Sequence, residues 1–207
     1  RTSDIKKTGW SLGITGKQSR RKPQTLVLQV VGKKMNGEIG EEAIFSDQHI
    51  TLNKPYYIGC AFTPATKTAK GLATFFLKDL SNDDEPLLIS KVEHSILGEF
   101  TNNLPMTIGS VYANNNGNFD GLIDDIRLSN IALGVDQLLF TREGLGKQTV
   151  GYWQFESKPD VFRDASDNHL HIQISGKTVT NKSNAQNNAW IDLCQVLLNS
   201  SEFLYVE

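Results

Sequence analysis

Five aspartates and one asparagine carry the strongest chemical suggestion in this chain. Asp120, Asp124 and Asp125 lie in the stretch FDGLIDDIRL, and Asp164, Asp167 and Asn168 in DASDNH. All offer hard oxygen donors, of which a calcium ion takes about six to eight. Neither segment supplies enough oxygens alone, so a calcium site needs the 120–125 and 164–168 segments together. In an extended chain Asp124 shares a face with Ile126 and Leu128, which are expected to point at a core, whereas Asp125 shares one with Ile123 and Arg127. A core-side carboxylate must be neutralised, paired or metal-bound, because an isolated buried charge is very costly. The competing reading is an aspartate that caps a neighbouring turn or pairs with an arginine.

Other residues invite weaker readings. His169 and His171, two apart, project to one side of a strand and could chelate a transition metal if a third ligand existed, but an amphipathic surface strand explains them as well. Tyr112 beside the amide-rich run Asn114, Asn115, Asn116 and Asn118 makes a plausible sugar rim, since aromatic faces stack on apolar sugar faces and amides both donate and accept. Tyr56, Tyr57, Phe119 and Trp153 are the other aromatics for such a platform, against the commoner reading that they fill a core. For catalysis there is no support: no Ser/His/Asp signature, P-loop, HExxH, haem-attachment motif or one-strand E-x-D-x-E pair occurs. Glu41–Glu42 and Asp83, Asp84 and Glu85 read as solvated acidic loops.

The rest of the composition bounds the partners. The chain has 207 residues, with 21 Lys+Arg against 23 Asp+Glu, so 21 − 23 gives a net charge of −2. The basic residues are scattered except for Lys17, Arg20, Arg21 and Lys22, and nucleic-acid binding by bulk charge is not expected. No apolar run is long enough to span a bilayer. Cys60 and Cys194, the two cysteines, build neither a disulfide scaffold nor a Cys-based zinc site. Arg1 in place of an initiator methionine suggests a piece of a longer polypeptide.

The elements that position these groups read as strands. From residue 9 to about 174, short apolar runs alternate with Gly, Pro, Asn and Asp clusters, the spacing of an all-β sandwich. Expected strands cover 10–14, 26–31, 49–52, 56–62, 72–77, 87–92, 106–108, 122–128, 151–155 and 170–174. A short helix is expected near 135–141. After the Asn-rich connector 181–188, Trp190, Leu193, Cys194, Leu197 and Leu198 recur at helical spacing, which predicts an amphipathic helix over 188–200 that packs on a partner. The expected division is a sandwich over 1–180 and a helical appendage over 181–207.

The stretch FDGLIDDIRLSNIAL at 119–133 resembles the closing motif of laminin-G-like, concanavalin A-like jelly-roll domains of bacterial surface proteins, and upstream pieces such as GWSLGI at 9–14 and PMTIGS at 105–110 keep the family's order. The family's opening Y-W-x-F-[DE] strand is missing at the start. Its residues appear late instead, as YWQFE at 152–156 followed by DASDNH at 164–169. The late copy is expected to pair antiparallel with 122–128, either in permuted order or as a truncated second copy. The last residues, AWIDLCQVLLNSSEFLYVE, are similar to the end of an extracellular domain of unknown function in large planctomycete-type proteins with cytochrome c-like domains.

The resemblance implies a concanavalin A-like jelly-roll β-sandwich, exported to the periplasm, cell surface or exterior. It implies a non-catalytic module that binds a glycan or protein ligand and contacts neighbouring domains of the same polypeptide. In many members similar positions bind calcium. The alternatives are a glycoside hydrolase-like jelly roll and a purely structural insert that packs on adjacent domains.

Overall fold

Leu26, Leu28 and Val30 alternate with Val27 and Gln29, and this period of two buries all three on one side of a strand. That strand, β2 (Thr25–Lys33), is the centre of a three-stranded antiparallel sheet between β1 (Gly9–Ile14) and β3 (Ile39–His49). The β2–β3 hairpin turns on Gly37, whose φ of 88° is left-handed and suits a residue without a side chain. Asn36 braces the turn, its Oδ1 accepting the Glu38 N–H at 3.1 Å. The computed structural model describes residues 8–98, 102–103, 106–109, 119–139, 146–156, 161–173 and 195–199.

A second sheet has six strands. In spatial order these are β6 (Leu88–His94), β5 (Gly71–Asp79), β4 (Tyr56–Thr63), β11 (Gln195–Asn199), β7 (Ile126–Ser129) and β8 (Thr149–Trp153), with every neighbouring pair antiparallel. A short antiparallel pair, β9 (Val161–Phe162) and β10 (Ile172–Gln173), stands apart.

The two sheets share one core. Trp10, Leu26, Leu28, Val30 and Ile44 from the smaller sheet join Ile58, Cys60, Phe62, Phe75, Leu77, Ile126, Leu128 and Trp153 from the larger. Each fully buried Leu or Phe contributes roughly 1.5–3 kcal/mol. The larger sheet is also covered on its outer face, where Tyr57, Ala61, Phe76 and Tyr152 pack with Leu138 and Leu139. Double coverage explains why YYIGCAF in β4 is buried throughout instead of alternating. The architecture is therefore all-β and sandwich-like.

As expected, Gly151, Tyr152 and Trp153 pair antiparallel with Leu128, Arg127 and Ile126. Other expectations are corrected. The short helix near 135–141 is a single 3-10 turn, Val135–Gln137, among the described residues. Of the strand expected at 49–52 only His49 is extended in a sheet, as the last residue of β3, which begins at Ile39 and carries Glu41 and Glu42 within it; residues 50–52 form no strand. As an edge strand with one side towards water, β3 tolerates charges that a centre strand would not. Residues 106–109 and 122–125 form no strand, and β7 starts at Ile126.

The predicted C-terminal helix is corrected where the chain is described. Leu197 and Leu198 lie in β11, which pairs with both β4 and β7, inside the segment assigned to an appendage. A short apolar run such as VLL fits a strand between two partners as well as a helix, and periodicity alone does not separate the two. Trp190, Leu193 and Cys194 lie outside the described residues.

Candidate functional site

The late segment YWQFE and the turn DASDNH meet at the free edge of β8. Asp164 forms a bridge with Trp153 and is almost fully buried. Its Oδ1 accepts the backbone N–H groups of Tyr152 and Ser166, both at 2.8 Å. Oδ2 accepts the Ser166 hydroxyl and the Leu170 N–H, also both at 2.8 Å. A carboxylate has about four lone-pair positions, so this one is saturated. Around it the turn is stapled to β8: the indole N–H of Trp153 donates to the Leu170 carbonyl at 2.7 Å, and the Asn168 amide donates to the carbonyls of Thr149 and Val150 at 3.1 and 3.0 Å. In effect the 164–171 turn supplies β8 with the hydrogen-bonding partner that a further strand would have given.

The other calcium candidates do not join Asp164. Asp120 and Asp167 are exposed, and Asp124 accepts the Asp125 N–H at 3.1 Å. Asp125 has a left-handed φ of 47°, which breaks the strand parity read from the sequence, and its carboxylate accepts the Tyr152 hydroxyl at 3.1 Å. Among the described residues no three His, Cys, Asp or Glu side chains converge as a metal-holding group. This donor set fits the turn-capping alternative rather than a calcium cage. His169 and His171 lie in the same turn with ring centroids 6.0 Å apart, but His169 has a φ of 51° and the Nδ1 of His171 accepts the Asp164 N–H at 3.1 Å. They belong to the turn rather than to one side of a strand.

On the outer face Arg127, in register with Tyr152, reaches the carbonyl of Gln137 with its guanidinium and so pins the 3-10 turn to the sheet. Burial pushes the hydroxyl of Tyr57 up, against the opposing charge of Arg127. Tyr56, Tyr57 and Trp153 are buried and fill the interior instead of forming a sugar platform. Tyr112, Asn114, Asn115, Asn116 and Asn118 lie outside the described residues. Cys60 is sealed in the core, where burial pushes its thiol up and away from the reactive thiolate.

One buried group escaped the sequence reading. The ring of His94 stacks on Phe62 with centroids 4.3 Å apart. Its Nδ1 accepts the Ile96 N–H at 3.2 Å, which leaves Nε2 to donate to the Thr63 carbonyl at 3.1 Å. Burial lowers its pKa, with Glu42 and the Thr63 bond working the other way. Nothing local in EHSI announces this, because both partners are backbone groups fixed by tertiary pairing. The role of Asp164 did have a local signal, the D-x-S spacing typical of side-chain-to-backbone turns. Comparison of the chain with family models, curated proteins and solved structures gives no match.

Proposed function

We propose that this chain is a non-catalytic recognition module, a laminin-G-like jelly roll within a larger exported bacterial protein, which binds a glycan or protein ligand through loops at the margin of a rigid sandwich. One observation carries the reading: among the described residues, three interior groups with chemical capacity, Asp164, His94 and Cys60, are committed to the scaffold or sealed in it. Asp164 is saturated by four donors, both nitrogens of His94 face backbone groups, and Cys60 is buried. A scaffold that spends its ionisable groups on its own backbone leaves selectivity to exposed loops, where binding residues commonly sit. The jelly-roll and exported readings rest on the resemblance of residues 119–133 and its flanking motifs.

A glycan array probed with and without calcium tests the proposal. Capture of a defined glycan class, with the glycan recovered intact, is the expected result. Release of new reducing ends from that glycan would favour the glycoside hydrolase alternative, and no capture of any glycan or protein ligand would favour the structural insert.

A further inference from the structure

The connection between β1 and β2, residues 16–24, has the sequence GKQSRRKPQ and stands exposed beside the end of β3. Its shape is held from within. The Thr15 hydroxyl donates to the Lys22 carbonyl at 2.5 Å, and the Ser19 hydroxyl donates to the Arg21 carbonyl at 2.8 Å. The Gln24 N–H donates to the Thr15 carbonyl at 3.0 Å, and Gln24 bonds Ile50 through both its backbone carbonyl and its amide. Lys22 and Gln24 take left-handed φ values of 41° and 53°, which persist only where surroundings impose them. Lys22 pairs with Asp47 at 2.5 Å, and among the described residues no carboxylate is within ion-pair distance of Lys17, Arg20 or Arg21.

We propose that this preorganised cationic loop docks an anionic polysaccharide, its guanidinium forks binding carboxylate or sulfate groups along the chain. The assignment deepens the recognition reading above and rests on it. Guanidinium matches both oxyanions bidentately, and a loop already held in shape loses little entropy on binding. Single-stranded nucleic acid is recognised by stacking as well as charge, and GKQSRRKPQ has no aromatic residue. The loop has no large apolar side chain to insert in a bilayer. What the loop offers is charge with the exposed amide of Gln18 beside it, a set suited to a hydroxyl-rich anionic polymer.

The experiment measures binding of the whole chain to polygalacturonate, dextran sulfate, neutral dextran, duplex DNA and phosphatidylserine vesicles at low salt. Binding to polygalacturonate identifies carboxylate as the anion, and binding to dextran sulfate identifies sulfate. Either should weaken severalfold between 50 and 300 mM NaCl. The variant R20Q/R21Q should lose about tenfold or more in affinity with an unchanged melting temperature, since it removes two charged side chains that make no bond among the described residues. Absence of binding to both polyanions, comparable binding to DNA or vesicles, or full binding by R20Q/R21Q would overturn the proposal. If the array shows capture of neutral glycans while both polyanions fail, the recognition reading stands and this assignment of the loop falls.

Discussion

The imidazole of His94 occupies the space that a side chain on Gly71 would need: a β-carbon there would lie 2.2 Å from Cε1 of the ring. The two residues are register partners on β5 and β6. The same β-carbon would meet the Ala65 nitrogen and the Thr63 oxygen, each at 2.5 Å, so even a rotated histidine would leave two backbone clashes.

Gly71→Ala is accordingly expected to destabilise the fold by about 2–3 kcal/mol through overpacking. Urea unfolding is the measurement. A loss below about 0.5 kcal/mol would mean that this corner yields more easily than its contacts suggest.

His94 should make stability fall on the acid side. Burial lowers its folded pKa below the ordinary 6.5, so the unfolded chain takes up a proton that the folded chain refuses. That group's contribution is level above about pH 7, and stability drops as pH falls through 6.5 towards the folded value. Urea midpoints between pH 7.5 and 5 should show this slope, and His94→Gln should reduce it, although the variant starts from a lower stability. Parallel slopes for the two proteins would reject the assignment.

Asp164→Ala removes the acceptor of four hydrogen bonds at once and leaves the buried N–H groups of Tyr152 and Ser166, and the part-buried one of Leu170, without their acceptor. The expected loss is about 3–5 kcal/mol, whereas exposed Asp167→Ala should stay within about 0.5 kcal/mol. Thermal and urea unfolding of both variants check the contrast. Equal, small effects would show that the turn is not what closes the β8 edge.

Deletion of residues 195–207 removes the strand between β4 and β7. The expected product has lost cooperative unfolding, because a six-stranded sheet without an inner strand leaves two rows of backbone groups unpaired. A soluble product with an unchanged melt would instead support the division into a sandwich over 1–180 and an appendage over 181–207.

The parts legible in the sequence are those governed by near neighbours. Leu26, Leu28 and Val30 declare a half-buried strand by their spacing, Gly37 marks a turn, and the run from Tyr56 to Phe62 carries enough apolar residues for a strand covered on both faces. The pairing of residues 151–153 with 126–128 was also legible, through the resemblance of the two motifs.

The remainder depended on residues far apart in the chain. Val196, Leu197 and Leu198 suit a helix or a strand equally, and the partners that make them a strand lie about 140 residues away in β4 and about seventy away in β7. Asp164 had the composition of a metal ligand, but its oxygens are claimed by Tyr152, Ser166 and Leu170, and only the path of the chain past β8 brings Tyr152 to it. His94 is neutral and buried because a glycine on the adjacent strand leaves room for its ring. Local sequence determined which segments extend and which turn, because backbone preference and hydrophobic period act over a few residues. Which polar groups were spent on the fold, and which stayed exposed, was decided only by the tertiary structure, since hydrogen bonds and burial depend on what the folded chain brings alongside.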